Sequence, residues 1–227
     1  MADTSGALQR ITDDHGPLRD WPIVLIGVAL AAAFVFQTFV LGDRAVDYGV
    51  SAQALREGRW WTLLTAMFIH AGLFHLVMNM SALSIGAPVY QRLGRNLKGT
   101  LLFFALYFAC GLAGGLTFVA LNPNGTVPAV GASGAIFGLW GALARIGPGG
   151  GVYPLLSQAV WRHAWAAIKQ NLVLIGILFV LGLLAGGGGL KLAWEAHAGG
   201  FLTGLLLIAP LARLAGLGRS AQARPWG

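Results

Sequence analysis

Six apolar stretches, at about residues 22–41, 72–90, 100–121, 132–146, 171–186 and 193–212, dominate this chain and constrain it more than any other feature. A bilayer's hydrocarbon core is about 30 Å thick, and a helix crossing it needs about twenty apolar residues. Inside lipid, every backbone N–H and C=O must be bonded within the protein, which leaves helices or closed barrels as the spanning structures. Runs of this length read as helices. Only 10% of the residues are charged, against about a quarter in a soluble globular domain. The expectation is an all-α membrane protein with six transmembrane helices, forming one membrane domain over residues 21–214 between polar tails at 1–20 and 215–227. The first run opens with Trp21-Pro22, is about twenty residues long and ends without a small-residue cleavage site, so it is kept as a span rather than a cleaved leader.

The net charge of +7 does not point to nucleic acid, because the basic residues lie in short clusters between the apolar runs. In a membrane protein that pattern sets orientation. With the N-terminus inside, eleven of the fifteen Lys and Arg residues fall in inner segments; only Arg44, Arg56, Arg59 and Lys191 fall outside. The chain is therefore expected to be a multi-pass protein with both termini cytoplasmic, as in a bacterial inner (plasma) membrane. Cys110 is the single cysteine, so no intramolecular disulfide or cysteine metal cluster can form.

Two connections are unusual. Residues 42–71 form a long outer segment of mixed polarity containing Trp60, Trp61 and Phe68, which reads as a first loop lying at the membrane interface. The fourth span is short, and Asn122-Pro-Asn-Gly-Thr-Val-Pro128 before it cannot be helical. The chain is expected to dip into the membrane there, so that the fourth helix starts within it. Irregular backbone at that depth is tolerated where it is buried in protein or lines a water-filled cavity, which predicts a wet pocket at the outer end of that helix.

Polar groups inside spans are candidates for function because lipid burial is costly. They are His75 and Asn79 in span two, Ser133 in span four and His197 in span six. Even-numbered spans all run from outside to inside, and each residue lies early in its span, so all four converge on the outer half of the membrane. A serine in a membrane helix commonly bonds its own backbone or a neighbouring helix. Ser133, however, sits in Gly131-Ala-Ser133-Gly134 at a loop-to-helix junction, where free N-terminal amides suit a developing oxyanion. A lone membrane histidine is commonly a packing residue. Around His197 the small-residue stripe Ala193, Ala196, Gly200, Gly204, and that of Gly134, Gly138, Gly141 on helix four, permit close helix approach. Ser133 can then reach His197 as nucleophile and base. Glu195 is the one carboxylate close in sequence, but it points to another side of its helix, so a Ser–His dyad is the simpler reading. His75 and Asn79 share one helix face and suit oxyanion donation. His70 and His75 lie about 140° apart round a helix with no carboxylate, so no metal is expected, and no cofactor.

Phe68-Ile-His70, His75 and Asn79, then Gly131-Ala-Ser133-Gly134, then Ala196-His197-Ala-Gly-Gly200-Phe-Leu-Thr-Gly204, resemble the signature of the rhomboid family in order and spacing, and Gly58-Arg-Trp60-Trp61 resembles the start of its first-loop motif. The resemblance covers about residues 58–210. It implies a six-helix rhomboid-like bundle and an intramembrane serine endopeptidase that cleaves single-span transmembrane substrates near their outer end. It also implies Ser133 as nucleophile, His197 as base, His75, Asn79 and the Ser133 amide as the oxyanion hole, and Phe137 as an aromatic ring packed on the histidine. Thr62 and Tyr90 depart from the usual arginine and glutamate, which bears on loop anchoring. The competing class is a non-enzymatic membrane protein, either an inactive rhomboid-like chaperone or binding protein, or a small transporter. The glycine run Gly186–Gly189 reads equally as a lid over the wet pocket or as a flexible tether.

If the charge count sets topology, a cysteine placed at Asn124 should label from outside intact cells, while tags on both termini stay protected. Reversed labelling would overturn the orientation.

Overall fold

The computed structural model describes residues 17–147, 151–166, 168–169 and 193–216. The fifth apolar run and Gly186–Gly189 lie outside the described residues. The described chain is mostly helical, with four helical stretches long and apolar enough to cross a membrane: Trp21–Tyr48, Leu73–Leu93, Leu97–Leu121 and Trp194–Leu214. A fifth apolar helix, Ser133–Ala144, is shorter.

The first stretch begins as α1 (Trp21–Phe36), with Pro22 in the first turn where no amide partner is lost. It continues through one wide turn at Gln37–Leu41 and a 3-10 segment at Gly42–Tyr48. Gln37 turns back on the chain: its side chain donates to the His70 carbonyl at 2.6 Å and accepts the His70 amide at 2.9 Å. The first loop then forms two short helices, α2 (Ala52–Arg56) and α3 (Thr62–Thr65), with Trp60 and Trp61 more than half exposed. Ser51 caps α2 by accepting the Ala54 amide at 3.0 Å. In the same loop Arg59 grips Glu57 at 2.7 Å. That bond, followed by one from Gln53, holds the Glu57 carboxyl below its usual range.

The second span, Leu73–Leu93, contains one turn. It divides into α4 (Leu73–Leu83) and α5 (Gly86–Leu93), separated at Ser84-Ile85. Pro88 explains the division. It has no N–H to give to Ser84, and the break leaves it in a first turn, where that amide is dispensable. Tyr90, buried on α5, hydrogen-bonds Thr100 at 2.9 Å and so ties α5 to α6 (Leu97–Leu121). Asn96 caps α6 on the Gly99 amide at 2.9 Å. Thr62 is fully buried and donates to the Arg59 carbonyl at 2.7 Å. Both positions that depart from the family pattern are therefore hydrogen-bonded in place.

Three helices make the centre: α6, α7 (Ser133–Ala144) and α8 (Trp194–Leu214). α7 has 12 residues, which is roughly 18 Å. Phe103, Leu106, Cys110, Ala135, Ile136, Leu139 and Ile208 are buried between these helices. α7 and α8 run parallel and touch backbone to backbone. A methyl group on Gly200 would strike the Gly134 carbonyl, and one on Gly204 would strike the Gly138 carbonyl. Gly141 faces the Phe201 carbonyl in the same way, and Gly138 also meets Cys110 of the antiparallel α6. Such close approach permits Cα–H···O contacts along the seam.

Gly204→Val should therefore push α8 off α7. Overpacking costs about 1–3 kcal/mol where side chains can yield, and here the obstacle is backbone. Thermal unfolding in detergent should show a clear drop in midpoint. Gly27→Ala, whose added methyl meets only Met80 and Leu83 side chains at 3.8 and 4.0 Å, should be neutral or slightly stabilising. Equal midpoints for the two variants would refute the seam.

Candidate active site

Ser133 opens α7, so its amide belongs to the first turn, where helical N–H groups have no partner within the helix. The segment that delivers it, residues 122–132, is irregular and is held mainly by backbone bonds to the first loop. Val50 and Ala129 exchange two bonds at 2.9 and 2.8 Å, Gln53 N–H donates to the Gly125 carbonyl at 3.2 Å, and Gly131 N–H donates to the Ala66 carbonyl at 2.8 Å. Arg56 donates to the Pro123 carbonyl. Gly131 has φ +117° and lies against the His75 imidazole, where a methyl group would sit 2.6 Å from Cε1. Both the backbone angle and the space require glycine there.

The α7–α8 seam aligns the serine with α8. His197 Nε2 lies 2.8 Å from Ser133 Oγ. For an imidazole to accept the hydroxyl proton, its own proton must reside on Nδ1. Phe137, one turn beyond Ser133, stacks flat on the His197 ring, with centroids 4.2 Å apart and planes 1° from parallel. The ring limits how far the imidazole can swing. Glu195 is turned away from this pair, and its carboxylate accepts from Asn122 Nδ2 at 3.0 Å. Asn122 also donates to the Phe118 carbonyl at 2.9 Å. One side chain thus joins the end of α6, the start of the irregular segment and the first turn of α8.

His75 on α4 reaches the same region through Gly131. Its Nδ1 lies 3.4 Å from the Ala71 amide; accepting there leaves the proton on Nε2, the nitrogen 2.9 Å from where a Gly131 methyl would sit. Asn79 is buried, and its Nδ2 donates to the His75 carbonyl at 2.8 Å. One N–H of that amide is committed to the helix backbone and one remains. His70 is buried too, donates through Nδ1 to the Phe68 carbonyl at 3.1 Å, and packs edge-on against His75 with centroids 5.1 Å apart. No role in the site was read for His70 from the sequence. The signal was its five-residue offset from His75, which puts it outside α4 and beside it rather than along it. Among the described residues no group of three or more His, Cys, Asp or Glu could hold a metal ion.

The model of the Rhomboid domain matches residues 57–214. The chain belongs to the rhomboid family. With its apolar helices, this makes it an integral membrane protein. It is 32% identical over 154 residues to RHOMBOID-like protein 5 of Arabidopsis thaliana, covering 67% of this chain and 44% of that one. It is 31% identical over 171 residues to Rhomboid protease GluP of Bacillus subtilis (strain 168), covering 74% of this chain and 30% of that one. To RHOMBOID-like protein 2 of Arabidopsis thaliana it is 34% identical over 156 residues, covering 68% and 43%. The chain spans less than half the length of each of these three rhomboid relatives.

Asn122→Ala removes the link to Glu195. A charge-assisted bond in a half-exposed setting contributes about 1 kcal/mol. Amides of the first turn of α8 should then exchange with deuterium roughly fivefold faster, with the α7–α8 seam unchanged. Unaltered exchange at Ala196 and His197 would show that α8 begins firmly without this contact.

Proposed function

We propose that this chain is an intramembrane serine endopeptidase that cleaves single-span transmembrane substrates near their outer end, using Ser133 and His197. The observation that carries the proposal is the 2.8 Å approach of His197 Nε2 to Ser133 Oγ, with Phe137 stacked on the imidazole. An intramembrane Ser–His pair needs no such ring if its task is only to join two helices, whereas a base that must be held in one orientation gains from it.

In the proposed reaction Ser133 Oγ attacks the scissile carbonyl carbon as its proton passes to His197 Nε2. The carbonyl oxygen takes up the negative charge. The first-turn amide of Ser133, His75 Nε2–H and the remaining N–H of Asn79 stabilise that charge in a site of low dielectric. Collapse breaks the C–N bond, and the amine leaves with the proton held on His197. Water then attacks the acyl–Ser133 ester, giving its proton to His197, and the second collapse returns that proton to Ser133 Oγ. The reaction is written for a dyad, with Glu195 engaged by Asn122.

The substrate class follows from the same chemistry. A peptide bond inside a helix is shielded by its own hydrogen bonds, so the substrate must unwind locally before attack. Glycine or proline near the cut lowers that cost. The site lies at the start of α7, at the bundle end that carries the interfacial first loop. The charge bias assigns that end to the outside, with both termini cytoplasmic and residues 21–214 acting as one membrane unit.

Ser133→Ala and His197→Ala should each abolish cleavage of a transmembrane substrate and labelling by a fluorophosphonate, with the fold retained. The double variant should be no worse than either single one, because paired catalytic groups act as a unit. Asn79→Ala should lower turnover by about 10²–10³ while leaving some activity. Normal cleavage by Ser133→Ala would sink the assignment.

A further inference from the structure

The end of the bundle opposite Ser133 carries an element that neither the apolar runs nor the reaction accounts for. Residues 158–166 are helical, and the stretch packs on the far end of α7. Val160 and Ala164 are buried there with Ala144 and Leu205, and His163 Nδ1 lies 3.2 Å from the Ala144 carbonyl. A helix turns about 100° per residue, so the remaining side chains form two further faces. Trp161, Trp165 and Ile168 share one, and they are 55%, 56% and 43% exposed. Arg162 and Lys169 share the next, about a quarter-turn away, and both are exposed. Going round the helix, a face packed on protein is followed by an aromatic face and then a cationic face. That sequence fits a helix lying in the plane of a bilayer surface, with indoles at headgroup level and cations toward the phosphates.

Charge decides what those cations meet. The sequence holds no acidic residue between Glu57 and Glu195. Asp20 is the one described carboxylate at this end of the bundle, and it pairs with Arg95 at 2.9 Å. Arg145 is buried and spends its donors on the Tyr153 and Leu205 carbonyls at 3.0 and 2.9 Å. Arg162 and Lys169 form no ion pair or hydrogen bond among the described residues. Among the described residues no carboxylate answers their charge. We propose that residues 158–166 and Lys169 form a binding element for anionic lipid headgroups, with Trp161 and Trp165 seated in the headgroup layer and Arg162 and Lys169 on the phosphates. This surface is independent of the Ser133–His197 chemistry.

The test uses the full chain, purified in detergent, with phosphatidylglycerol as anionic probe and phosphatidylcholine as neutral control. Native mass spectrometry counts the lipids retained. Selective retention of phosphatidylglycerol is expected. A Lys or Arg near an anionic surface contributes roughly fivefold, so Arg162→Gln with Lys169→Gln should weaken retention roughly thirtyfold. Arg44→Gln, at the other end of the bundle, should leave it unchanged. The substituted side chains are exposed, so folding is retained, and thermal midpoints confirm it. Equal retention of both lipids, or undiminished phosphatidylglycerol binding by the Arg162/Lys169 variant, would overturn the proposal. So would a dimer that dissociates on Trp161→Ala irrespective of lipid, which would assign the face to a second copy of the chain.

Discussion

The backbone contact between α7 and α8 is the constraint on which the remaining structure depends. Where Gly200 meets the Gly134 carbonyl and Gly204 meets the Gly138 carbonyl, two helix axes approach more closely than any side chain would allow. Lipid supplies little hydrophobic drive for helix association, so packing of this kind has to do that work. It also fixes the relative height and rotation of the two helices. Ser133, one residue before Gly134, and His197, three before Gly200, then face each other at hydrogen-bonding distance. A flexible polar contact could not set that distance alone. The close seam behind the pair is what sets the two side chains at that separation.

A second requirement follows from the shortness of α7. At 12 residues it leaves part of the membrane thickness to be filled by non-helical chain, and such chain carries amides and carbonyls that lipid cannot satisfy. The first loop meets that need. Its bonds from Val50, Gln53, Arg56 and Ala66 to residues 123–131 make the loop a partner for the backbone that precedes the serine. The loop's own tryptophans, Trp60 and Trp61, stay exposed and take no part in that bonding. Catalytic competence and loop anchoring are thus one problem: the irregular backbone that frees the Ser133 amide must itself be bonded by something other than water.

The sequence carried much of this arrangement, and its silences have physical causes. Long apolar runs reveal spans because lipid imposes both length and composition, and small residues at four-residue spacing reveal a seam because only they admit a neighbouring backbone. The proximity of Ser133 to His197 was readable from those two facts together. The break at Ser84-Ile85 was not, since the apolar run passes straight through it and only Pro88 hints that a turn must begin again. Residues 158–166 fell within an inner connection, and their apolar residues divide between a buried side and an exposed side, which dilutes any single-face period. Likewise, four-residue spacing placed His75 and Asn79 on one face, yet could not say that an Asn79 N–H bonds the His75 carbonyl. Side-chain to backbone bonds within a helix leave no trace in residue order.

Charge distribution then separates the two ends of the molecule by task. At the Ser133 end, described acidic and basic residues are mixed and largely answer one another or the backbone: Glu57 with Arg59, Glu195 with Asn122, Arg56 with the Pro123 carbonyl. Charges satisfied internally leave a site whose field is set by fixed donors rather than by mobile ions, which suits the stabilisation of a transient oxyanion. The other end carries Arg92, Lys98, Arg162, Lys169 and Arg213, and the sequence holds no carboxylate between Glu57 and Glu195. A difference of this kind between the two ends of a bundle gives it a preferred way to sit in a membrane with anionic lipid.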